Sequence, residues 1–294
     1  MHQDRIKWVY LIILSLVWGS SFILIKKGLL GLTPLQLGAT RILIAGMVLI
    51  AIGFKHLKSI KKSEWKWVIL SGFLGTLIPA FLIAFAETEI DSAVASILNS
   101  TTPLLALILG VLVFGVAFVK RQAIGVFIGL LGCLVLIFSG ANVNPHQNYW
   151  FVGFVLVASV CYSINVNLIK QYMQNIHPIG ITVGNFIGIM IPAFIVLMFS
   201  DFPFSEVTSN PKLYNALGYV VLLAIIGTCM AKVLFNKLVQ MSSAIFATSV
   251  TYLIPIVALF WGVLDNEDFG FWQFVGMGII LFGVFLVNSG KKKV

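Results

Sequence analysis

The sequence predicts an all-α membrane protein of ten transmembrane helices, arranged as two inverted five-helix repeats with both termini in the cytoplasm. Three observations predict it. The first is a stretch that occurs twice: residues 75–112 and 227–264 align without a gap. Gly75 meets Gly227, Thr76 meets Thr228, Ala95 meets Ala247, Pro103 meets Pro255, and Gly110-Val111-Leu112 meets Gly262-Val263-Leu264. Downstream, Gly125 pairs with Gly276 and Gly132 with Gly283, one residue out of phase. Chance matching of apolar text would not put Gly, Thr and Pro in register, and internal repetition constrains the architecture before any single residue is read. The second observation is that apolar segments of about 20 residues recur ten times, each long enough to cross about 30 Å of hydrocarbon as a helix. The third is a Lys/Arg bias that alternates from loop to loop.

The expected spans are 8–30, 34–54, 67–86, 92–114 and 122–139, then 149–171, 178–199, 217–239, 243–264 and 271–289. They are continuously apolar rather than alternating, which excludes barrel strands of about 10 residues. With the amino terminus inside, inner segments hold Arg5, Lys7, Lys55, Lys58, Lys61, Lys62, Lys66, Lys120, Arg121, Lys170, Lys237 and Lys291 to Lys293. Outer ends hold Lys26, Lys27 and Lys212 only, while most acids fall outside. Five helices is an odd number, so the second copy enters the membrane from the opposite side. Inverted repeats of this kind build alternating-access carriers with a site near the bilayer midplane. The repeats are expected at 1–141 and 142–294, joined by the polar stretch ANVNPHQN at 141–148. Each half needs the other to bury its polar face.

Composition agrees. The chain has 294 residues, 60% hydrophobic and only 10% charged, with a mean hydropathy of +1.04; a soluble domain carries about 25% charged residues. The net charge of +9 sits in short loops and reads as a topology signal, not as a nucleic-acid surface. Arg5 and Lys7 resemble the start of a signal peptide, but the apolar run after them is too long and has no A-x-A site. Cys133, Cys161 and Cys229 lie in apolar runs without disulfide or zinc spacing. No P-loop, G-x-S-x-G or H-E-x-x-H is present, and the four histidines fall in loops. No catalytic residue, metal or cofactor is therefore expected. An integral-membrane enzyme is the remote alternative, and a channel would not need two matched halves.

Several local texts then fall into an ordered set. The first helix carries Trp18-Gly19-Ser20-Ser21-Phe22 with Lys26 eight residues after the Trp, and the sixth answers with Tyr162, Asn165 and Lys170. Arg41 lies in the second helix, Ala95 and Ala247 stand eight before their prolines, and Asn266-Glu267 precedes Gly276 and Gly283. Over nearly the whole chain this resembles the EamA family of the drug/metabolite transporter superfamily. The resemblance implies ten helices and secondary transport of a small metabolite through a central cavity, often the export of amino acids or related compounds. One departure is visible: Val116 stands where Glu267 stands in the second half.

Polar groups in hydrocarbon are costly and face a partner or a cavity. Lys232 is the boldest case, at roughly 2.5–3.5 kcal/mol for a charge at the bilayer centre. Thr228, Lys232 and Asn236 follow one another at every fourth position on one helix face. Lys232 reads equally as a ligand contact or as a side chain snorkelling to the inner surface. Tyr162, Asn165 and Asn167 are candidate ligand contacts on the sixth helix, with interhelical hydrogen bonding as the alternative. Thr248, Thr251 and Tyr252 offer hydroxyls on the ninth, beside Pro255, and Ser96, Asn99 and Ser100 match them on the fourth, beside Pro103. Each proline frees a carbonyl one turn earlier, which neighbouring Ser or Thr can satisfy. Arg41 and Glu87 are expected as a gating pair at the outer mouth, with Trp18 and Trp261 as aromatic walls. The expected cargo is a small zwitterion or monoanion, with a metabolite uptake carrier or a multidrug efflux carrier as the alternative reading. The expected partners are that solute and the lipid bilayer of the inner (plasma) membrane, with no nucleic acid; a homodimer is an allowed assembly.

Overall fold

The computed structural model describes residues 2–90, 92–138, 148–264 and 271–288. Among these, every regular element is a helix. Seven helical runs are long and apolar enough to cross a membrane: Arg5–Gly28, Pro34–Ser59, Trp65–Ala86, Val94–Leu112, Val152–Tyr172, Pro178–Met198 and Pro211–Met241. The other expected spans, 122–139, 243–264 and 271–289, are not among the seven; the first and last are helical where described, the middle one is two helices broken at Ser249, and Ala244–Val257 and Phe274–Val287 are shorter apolar helices. Large apolar side chains such as Met47, Ile52, Phe127, Leu131 and Phe194 are more than half exposed, as suits a protein whose solvent at that depth is hydrocarbon.

The first half comprises α1 (His2–Gly28), α2 (Pro34–Gly53), α3 (Trp65–Gly72), α4 (Ile78–Ala86), α5 (Ser92–Asn99), α6 (Thr102–Leu112) and α7 (Lys120–Phe138). The second comprises α8 (Val152–Tyr172), α9 (Pro178–Met198), α10 (Pro211–Leu222), α11 (Ala231–Met241), α12 (Ala244–Thr248), α13 (Val250–Leu264) and α14 (Phe271–Asn288). Local chemistry starts these helices where sequence rules place them. Thr33 and Gln36 form a reciprocal capping box before Pro34. Gln36 Nε2 also donates to the Ser200 carbonyl at 2.8 Å, tying the start of α2 to the end of α9. His177 caps α9 before Pro178, and Asn210 caps α10 before Pro211.

Two π-helical segments interrupt otherwise continuous helices at matching places. Phe73–Leu77 joins α3 to α4, and Leu223–Met230 joins α10 to α11. They contain the duplicated Gly75-Thr76 and Gly227-Thr228 pairs. At the first, Pro79 lacks an N–H and crowds the carbonyl four residues back, that of Gly75. At the second, the Thr228 hydroxyl donates to the Leu223 carbonyl five residues back, at 3.1 Å. The prolines farther on behave as their chemistry demands. Pro103 frees the Asn99 carbonyl, which accepts from Thr102 Oγ1 at 2.6 Å. Pro255 frees the Thr251 carbonyl, which accepts from Ser100 Oγ across the halves at 2.8 Å.

The packing pairs the halves. α1 lies against α13 and α8 against α6, the same contact with the repeats exchanged; α2 lies against α9, and α7 against α14. At the last contact the backbones nearly touch. A Cβ on Gly283 would come within 2.5 Å of Gly129 N and 2.7 Å of Gly125 O, so these glycines serve close helix packing. One buried cluster joins Leu11 and Leu14 of α1 to Val166 and Ile169 of α8 and Val284 of α14. The halves share a core.

Candidate functional site

Between the halves lies a cavity of about 90 Å³, room for several waters or a small solute. Both π-segments reach it. A π-turn leaves carbonyls without their usual helical donor, and side chains take them up. Lys232 Nζ makes a short hydrogen bond to the Gly75 carbonyl. Trp18 Nε1 donates to the Gly227 carbonyl at 3.1 Å. The glycines themselves allow close approach: a Cβ on Gly75 would stand 2.5 Å from Asn165 Nδ2, and one on Gly227 would stand 2.8 Å from Ser21 Oγ.

In the register that matches Pro34 with Pro178, Trp18 meets Tyr162, Ser21 meets Asn165 and Arg41 meets Asn185. Each π-glycine therefore packs against the equivalent position of the other half. Arg41 Nε donates to Thr228 Oγ1 at 2.7 Å. Its counterpart Asn185 lies away from the cavity, 3.2 Å from the Ser71 hydroxyl. Ser71 in turn donates to Asn165 Oδ1 at 2.6 Å and fixes that amide. Thr76, the counterpart of Thr228, lines the cavity at 5% exposure, and its hydroxyl has no hydrogen-bond partner among the described residues.

Of the residues singled out by sequence, Trp18, Tyr162, Asn165, Thr228, Lys232 and Thr248 line this cavity. Lys232 is only 9% exposed and turns inward to Gly75, so it does not snorkel. Three others stand elsewhere. Asn167 Nδ2 donates to the Ala106 and Ser163 carbonyls, at 3.0 and 2.9 Å, and ties α8 to α6. Asn236 Nδ2 donates to Thr182 Oγ1 at 2.9 Å and ties α11 to α9. Tyr252 is fully buried, and its hydroxyl donates to the Val126 carbonyl of α7 at 2.8 Å. Each polar group found a neighbouring helix before it found the cavity, and helical spacing alone cannot tell the two apart.

The gating pair is also rearranged. Arg41 lines the cavity and bonds Thr228. Glu87 is buried at the end of α4, outside the cavity lining, and acts on Arg41 through space. The Trp261 side chain, Glu267 and the 141–147 part of the joint lie outside the described residues. Asn99 and Thr251, read from sequence beside Thr248, line the cavity as well, whereas sequence reasoning missed Thr76. The repeat alignment carried the signal for Thr76, because it faces Thr228.

Comparison with known proteins agrees with this architecture. The EamA-like transporter family matches residues 6–138 and 149–289, once in each half. The chain is 30% identical over 287 residues to YedA of Escherichia coli, named as an uncharacterized inner membrane transporter; 95% of this chain and 89% of that protein are covered. It is 25% identical to an uncharacterized transporter of Archaeoglobus fulgidus, over 96% of this chain and 98% of that protein. YoaV, an uncharacterized transporter of Bacillus subtilis, is 25% identical over 94% of both. A solved crystal structure superposes with a TM-score of 0.73 at 16% identity, covering 100% of this chain and 99% of the other, and so shares the fold.

Proposed function

This chain belongs to the EamA-like transporter family, and from that premise we propose that it is a secondary transporter carrying a small amphiphilic metabolite by alternating access. It is a multi-pass inner-membrane protein. The observation that carries the proposal is the largely apolar cavity between the halves, with a few polar groups contributed by the two π-segments, α1, α2 and α8. The exchange of contacts between α1·α13 and α8·α6 supports an inverted repeat, the arrangement in which one half rocks against the other around a fixed site. The loop charges support ten crossings with both termini in the cytoplasm. The cargo is an amino acid or a related zwitterion or monoanion: the cavity walls are aromatic and aliphatic, with a few placed polar groups, and Arg41 and Lys232 attract a carboxylate. Export is the direction the family resemblance favours.

Counterflow in proteoliposomes tests the carrier. Saturable exchange of a small carboxylate-bearing solute is the expected result. Non-saturating flux would turn the reading to a channel, and chemical turnover of a lipid-linked substrate would turn it to an enzyme. A cytoplasm-dependent reporter fused after residue 294 is expected to be active; activity of a periplasm-dependent one there would overturn the orientation.

A further inference from the structure

The hydrogen-bonding inventory of the cavity is one-sided. Its two π-segment carbonyls, natural receivers for a ligand ammonium group, are already taken: Gly75 O by Lys232 and Gly227 O by Trp18. Asn165 Oδ1 is taken by Ser71. Among the described residues no Asp or Glu lines the cavity. Glu87, whose charge acts on Arg41 through space, is not part of the lining.

Donors, in contrast, are in surplus. A guanidinium carries five N–H donors and stays protonated; among the described residues only Arg41 Nε is used, on Thr228. An ammonium carries three donors, and Lys232 uses one, on Gly75. The Thr76 hydroxyl, buried in the lining, has no partner among the described residues. Two basic side chains and an idle hydroxyl in a low-dielectric space leave an anion with much to gain, whereas an ammonium finds basic neighbours and no carboxylate in the described lining.

We propose that the cavity selects a net-anionic organic acid, a carboxylate without an ammonium group, over the amino acid of the same shape. The carboxylate sits between Arg41, Lys232 and Thr76, and the apolar tail lies toward Phe22, Ile25 and Ile254. This deepens the transport reading and rests on it only for direction of use, since binding is measurable alone.

The test uses three probes of one shape: 2-hydroxy-3-methylbutanoate, valine and valinamide, which are an anion, a zwitterion and a cation. The full-length protein in detergent is titrated with each at constant ionic strength, and the unfolding midpoint is followed. Apparent affinity is expected to be at least about tenfold higher for the hydroxy acid than for valine, with no shift from valinamide. Thr76→Val, Arg41→Gln and Lys232→Met are each expected to shrink the hydroxy-acid preference; the mild Thr76→Val change keeps the test usable if a charge variant misfolds. Valine binding as well as or better than the hydroxy acid would overturn the selectivity. So would absence of a shift from all three probes. Counterflow with the same probes separates the two ideas. Saturable valine exchange without hydroxy-acid preference leaves a transporter and removes the anion selectivity. Hydroxy-acid binding without exchange leaves the selectivity and removes the transporter.

Discussion

The first half of the chain presents Arg41 and Ala80 where the second half presents Asn185 and Lys232. The backbone devices around these positions are shared: a π-segment in each half, a glycine carbonyl taken up by a side chain, and a Gly-Thr pair. The charges are not shared. Each half contributes one cation, and never at the matching position. The difference teaches that a shared backbone frame does not carry the charge, which each half places at a position of its own. Copying either cation into the other half would add like charge to a cavity whose described lining holds no acid to balance it.

Making the halves alike is therefore the sharpest way to break the comparison. Lys232→Ala writes the first half's Ala80 into the second. Transport is expected to fall by about 100-fold, in line with roughly 3 kcal/mol for a lost buried charge contact, with folded protein still in the membrane. Unchanged flux in counterflow would make the charge asymmetry incidental. Arg41→Asn performs the reciprocal copy. It removes a cation and the bond to Thr228, and a loss of about tenfold or more is expected. A smaller loss than for Lys232→Ala would rank the second half as the chief ligand binder.

The shared frame can be probed in the same way. Gly75→Ala meets Asn165, an amide held by Ser71, whereas Gly227→Ala meets the Ser21 hydroxyl. Overpacking costs about 1–3 kcal/mol, and Gly75→Ala is expected at the upper end because its obstacle is fixed. Equal unfolding midpoints for the two variants would show that the glycine contacts are interchangeable.

The smallest expected effect concerns the caps of α2 and α9, which stand in register as Thr33 and His177. Thr33 cannot titrate near neutrality. His177 Nδ1 accepts from Ile179 N–H at 3.3 Å, and its ring stacks on His56 with centroids 4.2 Å apart. Burial, then the neighbouring His56 and Lys237, hold its affinity for a proton below that of an ordinary histidine. The unfolded chain thus protonates at higher pH than the folded one. The cap's contribution is complete above the ordinary histidine value, about 6.5, and is lost as pH falls through the lowered value. His177→Thr, a copy of the first half's cap, is expected to flatten that part of the midpoint-versus-pH curve. An unaltered curve would place the pH dependence elsewhere.

Much of the frame was legible in the chain itself. Composition and the recurring apolar segments determined an all-helical, multi-pass membrane protein, because these features depend on local sequence and on solvent, and the ordered set of local motifs carried the resemblance to the EamA family. Capping at Thr33, Asn210 and Pro178 was written in residues next to one another. The site was legible only in part. Lys232, Asn165 and Trp18 could be named because a polar or bulky group in hydrocarbon must face something. What it faces depends on how distant helices are rotated and packed. Asn167, Asn236 and Tyr252 carry the same signal as Asn165 and were spent on α6, α9 and α7 instead. Arg41, expected beside Glu87, donates instead to Thr228, which lies inside the π-segment of the other half. Helical period is a property of one segment, whereas a cavity is the space several segments leave between them, and only tertiary packing decides which side chains border it.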